Sequence, residues 1–473
     1  MFKKTIEVIE YCKKNEIKFI DFKLIDIAGR WHHLSVPVRK FTEEMMEKGI
    51  GFDGSSYGFL TVEKSDMVFK PDISTAFIDP FVEEKTLVML TKIYYTDGNR
   101  FESDPRYIAD KTEKLVYSSG IADKILLGPE FEFYILDRVS INNEPENFGV
   151  SLDSENAHWN MGNKEKNLGY KVLHHKGYHV DLPYDINLNL RNKMVSLLEK
   201  NDINVKYHHP EVGAAGQMEI EVDFESLLRV SDNTMKIKYI VKNEAIRNSK
   251  TVTFMPKPLY GEAGNGMHVH INLHKDGKPV FYDEEGYSGL SQTALFAIGG
   301  ILKHAPAIMA FTNPSTNSFK RLVPGYEAPV NLCYGNANRS AIIRIPGYAK
   351  KPLDKRFEFR SPDATSNPYL GYSAIILAAL DGIEKKIDPE KNGFGPIDEN
   401  IFEMSDVERE KIKALPHNLV EVVDALKEDY EFLLKGNAFT MNIIKDQIGS
   451  ILKQHYKVMR YPTFKEFEMY YDL

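Results

Sequence analysis

Five short segments of this 473-residue chain alternate apolar side chains with glutamate, histidine or arginine. Successive side chains of a β-strand point to opposite faces, so each segment offers one face to a core and keeps its ionisable residues together on the other. In GPEFEFYIL, Phe131, Phe133 and Ile135 oppose Glu130 and Glu132, and in GQMEIEVDF, Met218, Ile220, Val222 and Phe224 oppose Gln217, Glu219, Glu221 and Asp223. GMHVHINLH sets Met267, Val269, Ile271 and Leu273 against His268, His270, Asn272 and His274. KRFEFRSP opposes Phe357 and Phe359 to Arg356, Glu358 and Arg360, and NRSAIIRIP opposes Ile343 and Ile345 to Arg344. Any one such strand also reads as a plain sheet with one face in water. Solvated faces carry Lys, Thr and Ser freely, whereas here Glu, His and Arg recur, which points to a shared chemical surface.

Carboxylates crowded in this way raise one another's pKa unless cations lie between them, so the clustering asks for metal. Oxygen ligands with one or two imidazoles and no thiolate favour magnesium or manganese over zinc. Arginines beside hard divalent ions suggest phosphate chemistry, since guanidinium forks suit phosphate and carboxylate oxygens. No GxxxxGK[ST] run is present, so a nucleotide would not be held by a Walker fold. GEAGNG has neither phosphate-loop nor dinucleotide spacing and reads equally well as a turn leading into a strand.

The expected organisation is α+β. Alternation from Ile17 to Asp104 predicts a small amino-terminal sheet domain (1–104), followed by a large domain (105–473) of strands and longer helical segments that ends in a helical part. Residues 140–180, polar and rich in glycine and asparagine, are expected to run over the surface, and Gly436 to stop a helix over LVEVVDALKEDYEFLLK. Acidic residues number 68 against 60 basic ones, a net charge of −8 without blocks of either sign, which argues against nucleic acid as a partner. Only Cys12 and Cys333 occur, excluding a disulfide framework or thiolate metal site and fitting a cytoplasmic protein. The first 18 residues lack the apolar run of a signal peptide. LFAIGGILKHAPAIMAF and YSAIILAALDGI are expected to be buried helices, so no membrane span is anticipated.

FDGSS (52–56), GPEFEF (128–133), HHPEVGAAGQME (208–219), NGMHVH (265–270), NSFKRLVPGYEAP (317–329), NRSAIIRIP (338–346) and RFEFRSPDATSNPYL (356–370) resemble, in order and spacing, glutamine synthetase of type I. The match extends from near residue 15 to the closing FEMYYDL, and the stretch around WNMGNKEKNLGYKVLHHKGYHVDLP resembles the long-insert members. The resemblance implies a β-grasp-like amino-terminal domain, a catalytic domain built on a curved, mainly antiparallel sheet, and a glutamate–ammonia ligase. That reaction forms a γ-glutamyl phosphate with ATP, which ammonia then attacks.

It implies that Glu132, Glu211 and Glu219 hold one divalent ion and that Glu130, His268 and Glu358 hold a second, so two or more Mg2+ or Mn2+ serve each site. Arg321 is similar to the arginine that binds the substrate α-carboxylate, while Arg339, Arg344 and Arg360 resemble those that hold phosphates and the γ-carboxyl. His270 and Arg356 look like ATP contacts, with Phe224 and Asn272 beside them, and His209 and Gly264 fall at glutamate-binding positions. Asp53 and Ser56, with Tyr178, Glu211 and Glu327, would surround ammonium, Asp53 taking its proton and Glu327 receiving one from the tetrahedral adduct. The family arrangement implies active sites shared between neighbouring subunits of a homo-oligomer, two rings of six.

DENIFEMS departs from adenylylated members, for Phe402 stands where they carry a tyrosine, so that modification is not expected. Thr61 stands where some short-insert members have an arginine used in feedback, and Ala263 where many have an asparagine in the glutamate loop. Two other functions fit less well. A glutamate–polyamine or other amine ligase would want a less anionic acceptor pocket than Asp53, Tyr178 and Glu327 suggest, and a non-catalytic structural or regulatory ring should have lost metal ligands that are present here.

Overall fold

A computed structural model describes residues 2–165, 167–214, 216–323 and 328–472. The chain forms two units, the first from residues 1–118, 126–254 and 367–373, the second from residues 119–125, 255–366 and 374–473.

In the first unit, helix α1 (Thr5–Lys14) begins where the Glu7 carboxylate accepts the backbone N–H groups of Lys3 and Lys4 (2.8 and 3.2 Å). Its Val8 and Cys12 pack onto Ile20, Phe22 and Leu24 of strand β1 (Phe19–Ile25). With β2 (Trp31–Pro37), β3 (Ile50–Asp53), β4 (Asp66–Ile78) and β5 (Thr86–Tyr95), β1 makes a five-stranded sheet in the order β2-β1-β5-β4-β3. Only β1 and β5 run parallel. The opposite face of β1 is buried as well. Lys23 donates to Asp21 (2.9 Å) and its ammonium lies 5.0 Å from the centre of the Tyr239 ring. The polar face of this strand is thus covered, with its charges paired.

Helix α2 (Glu43–Lys48) lies against β4, and α3 (Pro105–Ser118) is tied to the 21-residue α5 (Leu227–Arg247) by a buried bidentate ion pair. Arg106 gives two 2.8 Å hydrogen bonds to Asp232, which also accepts from the Tyr369 hydroxyl (2.7 Å). The second sheet of this unit centres on β6 (Lys124–Leu136). The hairpin of β7 (Arg138–Glu144) and β8 (Asn147–Asp153) follows, almost wholly exposed. The predicted surface excursion therefore contains a ladder that sequence reading did not assign, because neither face of it is buried. After α4 (Leu188–Lys200), β9 (Val205–Pro210) and β10 (Gln217–Val222) pair antiparallel with one another, β10 pairs antiparallel with β6, and β11 (Thr251–Thr253) caps the end of β6. Phe131, Phe133, Met218, Ile220 and Val222 are buried, as the alternation requires.

The second unit carries strands β12 (Val269–Lys275), β13 (Lys278–Pro279), β14 (Asn331–Asn336), β15 (Ala341–Ile345) and β16 (Phe357–Phe359). β16 pairs antiparallel with both β12 and β15, and β15 pairs parallel with β14. Its core helix is α6 (Gln292–Thr312), whose most apolar window is 78% buried. Gly300 faces a later helix so closely that an added Cβ would lie 2.2 Å from the Ala378 carbonyl oxygen and 2.6 Å from Gly382 Cα. After the short α7 (Ser318–Arg321), that helix is α8 (Pro368–Lys385), followed by α9 (Asp406–Arg409), α10 (Leu419–Glu428), α11 (Met441–Met459) and α12 (Phe464–Tyr470).

The expected single helix from Leu419 to Lys435 is a correction. It ends at Glu428, and a separate 3-10 segment runs from Glu431 to Asn437. Asp429 leaves the helix with its carboxylate 2.7 Å from His304 Nδ1, and Phe432 stacks on the same imidazole (4.0 Å between ring centres). A long-range contact ends the helix before Gly436.

Candidate functional site

In the first unit, strand register concentrates the acids. Glu132 lies directly opposite Glu219 and Glu130 opposite Glu221, while Glu219 also faces His209 across to β9. Like charges directly opposed destabilise a sheet. Glu219 feels this most, for burial first, and then Glu130, Glu132, Glu211 and Glu221, push its carboxyl well above the usual carboxylate range. His209 Nε2 is 3.3 Å from a Glu219 oxygen, and its Nδ1 is 3.6 Å from Glu211 and 3.0 Å from the Pro210 carbonyl. Burial lowers the His209 pKa, and a carbonyl only accepts, so the neutral ring carries its proton on Nδ1 and turns the Nε2 lone pair toward Glu219. With Glu219 holding its proton, the carboxyl O–H can donate to this lone pair, and a cation that displaces the proton would meet the same two atoms. One donor atom each from His209, Glu211 and Glu219 lie within 4.8 Å of one another.

The ring of Tyr178 stacks on His179 (4.0 Å) and meets His209 edge-on (5.5 Å), so Tyr178 borders this acidic cluster. Phe224 lies just beyond β10 with its ring over Gly128, where an added Cβ would come within 3.3 Å. Asp53 and Ser56 sit at the end of β3. The Asp53 carboxylate accepts from Ser55 N (2.9 Å), Ser55 Oγ (2.7 Å) and Ser56 Oγ (2.8 Å). The Ser55 and Ser56 hydroxyls hold its pKa down at about 2.

In the second unit the carboxylate is matched by cations. Glu358 is fully buried and accepts from Arg360 (2.7 Å) and Arg344 (2.8 Å), with His268 Nδ1 3.5 Å away. Register places both His270 and Arg344 opposite Glu358. Arg321 donates to the Ser361 and Arg360 carbonyl oxygens (2.8 and 3.1 Å) and lies 3.2 Å from His268 Nε2. Its stem is fixed by glycine. A Cβ on Gly264 would meet Arg321 Cγ at 2.8 Å, and one on Gly266 would meet the guanidinium at 2.6 Å.

Asn272 donates to the Leu353 carbonyl (3.2 Å), and Arg356 to that of Asp354 (2.9 Å). Arg339 is exposed in the turn before β15, and Glu327 lies outside the described residues. Sequence reasoning missed Lys206, which donates to Glu221 at 2.6 Å and so neutralises an acid that strand parity alone would have offered to metal. It also missed His179 and Gly266, although Gly266 stands inside the GNGMH motif.

Comparisons with known proteins cover nearly the whole chain. The family model described as glutamine synthetase, catalytic domain, matches residues 102–470, and that for the glutamine synthetase beta-grasp domain matches residues 16–96. The chain is 47% identical to glutamine synthetase of Aquifex aeolicus, over 99% of this chain and 98% of that one. It is 44% identical to that of Streptomyces filamentosus over the full length of both. Among solved structures, it superimposes on Plasmodium falciparum glutamine synthetase with a TM-score of 0.89, at 30% identity and 99% coverage of each chain.

Proposed function

Because the chain belongs to the glutamine synthetase family, ligases that make glutamine from glutamate, ammonia and ATP through γ-glutamyl phosphate, we propose how its residues divide that reaction. The observation that carries the proposal is the register of β6, β10 and β9, which lines Glu132, Glu219 and His209 across three strands on one face. The family uses ATP and divalent metal, and oxygen donors in this number suit Mg2+ or Mn2+. Glu132, Glu211 and Glu219 are assigned to one ion, and Glu130, His268 and Glu358, by the family motifs, to a second. A hard cation held by these residues would neutralise charge on phosphate oxygens during phosphoryl transfer.

The protein's own groups do the rest. Arg321, set by Gly264 and Gly266, takes the α-carboxylate of glutamate, with His209 alongside. Arg339, Arg344 and Arg360 orient the γ-carboxylate and the transferring phosphoryl group, and Arg360 and Arg344 exchange Glu358 for these anions as they arrive. His270, Asn272, Phe224 and Arg356 receive the nucleotide. Asp53, ionised down to about pH 2, binds ammonium with Ser56, Tyr178 and Glu211; by the family motif it also takes the proton that ammonium must lose, which requires its pKa to rise from that value in the assembled site, so that ammonia can displace phosphate. By the family motif, Glu327 is assigned to shield the acyl phosphate from water and to accept the proton of the adduct. Sites completed by the amino-terminal domain of a neighbouring copy, in two rings of six, and residence in the cytoplasm, where the buried Cys12 and Cys333 stay reduced, complete the reading.

The test is phosphate release by the purified protein with ATP, magnesium and glutamate, comparing ammonium, putrescine, ethanolamine and no acceptor while glutamine is quantified. Ammonium-dependent phosphate matched by glutamine is expected. Release only with an organic amine would move the assignment to amine ligases of this fold, and no release from assembled protein would point to a silent ring.

A further inference from the structure

The connection from β15 to β16 starts at the arginine assigned to phosphate, Arg344, and ends at the one assigned to the nucleotide, Arg356. Four residues after Arg344 stands Tyr348, 59% exposed. Its ring centre lies 5.9 Å from the Arg344 guanidinium and 5.5 Å from that of Arg356, both within cation–π range, and its hydroxyl lies 3.5 Å from Arg356. Both guanidinia are largely buried and otherwise anchored, Arg344 on Glu358 and Arg356 on the Asp354 carbonyl. Lys355 next door has its pKa lowered, by burial and then by Arg356, in keeping with a local surplus of positive charge. Two cations near one ring repel each other, and the ring's negative faces offset that repulsion. An exposed aromatic held by two fixed guanidinia offers a π surface beside positive charge, the combination that receives a purine base and its phosphates.

We propose that Tyr348 is a nucleotide-binding residue of this enzyme, its exposed ring contacting the purine of ATP while Arg344 and Arg356 hold the ring in place. The inference rests on the reading that Arg356 contacts the nucleotide, and it adds a residue that the shared motifs do not include. Stacking on an aromatic side chain is worth roughly 1–3 kcal/mol per base, or about fivefold to somewhat over a hundredfold in affinity.

The test compares Tyr348→Ala, Tyr348→Phe and Arg356→Ala in the assembled, metal-loaded enzyme, reading ADP affinity by calorimetry and the steady-state KM for ATP and glutamate. Tyr348→Ala is expected to weaken ADP and raise the KM for ATP about tenfold, with kcat and the glutamate KM changed less than about twofold. Tyr348→Phe, which keeps the ring, should stay within about threefold of the parent for ADP. Because the side chain is exposed, neither substitution threatens folding. If Tyr348→Ala leaves ADP affinity unchanged while Arg356→Ala weakens it, the proposal is overturned and the reading of Arg356 stands. If neither weakens ADP, both fall, and if Tyr348→Ala lowers kcat/KM for ATP and for glutamate alike, a general structural role replaces the one proposed.

Discussion

The two units carry carboxylates in opposite settings. In the first, Glu219 is buried among four other glutamates, and its proton is held tightly as a result. In the second, Glu358 is buried still more completely but accepts a hydrogen bond from each of two guanidinium groups. Desolvation acts on both, so the difference lies in the neighbours. A cluster of acids is a surface that awaits cations, whereas an acid already neutralised by arginines is a store of cationic donors that an arriving phosphate or carboxylate can recruit.

This contrast is broken or sharpened by substitution. Glu358→Gln should destabilise the protein by about 3–5 kcal/mol in denaturant unfolding, because it leaves two largely buried arginines short of their counter-charge. Glu219→Gln should do the reverse in metal-free protein, raising stability by on the order of 1 kcal/mol through relief of a crowded buried acid, while lowering ligase activity roughly 100-fold or more. If both substitutions destabilise metal-free protein equally, the distinction fails.

Asp53→Asn should raise the KM for ammonium about tenfold, the scale of one lost charged hydrogen bond, and leave the glutamate KM within about twofold. An equal change in both constants would remove Asp53 from the ammonium subsite.

The smallest effect concerns the paired-charge rule away from the site. His304 lies between Asp381 (3.0 Å) and Asp429 (2.7 Å), and although burial opposes its charge, these two carboxylates raise its pKa above the ordinary value. A group raised on folding stabilises fully below its unfolded pKa, about 6.5 for histidine, and loses that contribution as pH climbs through the folded value. Unfolding free energy measured from pH 6 to pH 9 should therefore decline by on the order of 1 kcal/mol more in the parent than in His304→Gln. Parallel slopes would show that His304 is not the titrating group.

Strand faces were legible in the sequence because their period is two. The burial of Phe131, Phe133, Ile220 and Ile271 follows directly from alternation, as does the shared face of Glu130 with Glu132. Register was not legible. That Glu219 opposes Glu132, and that Glu358 lies between His270 and Arg344, depends on pairings between segments distant in the chain, which local pattern does not encode. Helix α10 shows the same limit, since its apolar period continues past the point where His304 draws Asp429 away. Lys206 was invisible because nothing in VKYHHP marks its reach to Glu221. The ligand motifs were readable by resemblance, but the steric reason for two of their glycines, the lodging of Arg321, emerges only from three-dimensional distances.

The burial of α6 has a consequence for biosynthesis. The segment is apolar enough and long enough to suit a bilayer, and what keeps it in water is a sleeve of helices encoded later in the chain, α8 among them. At translation rates of roughly 5–20 residues per second, the stretch separating Thr312 from Pro368 takes on the order of 3–10 s to emerge. For those seconds the nascent chain displays a greasy helix without its cover, which makes this interval the time of greatest demand for a chaperone.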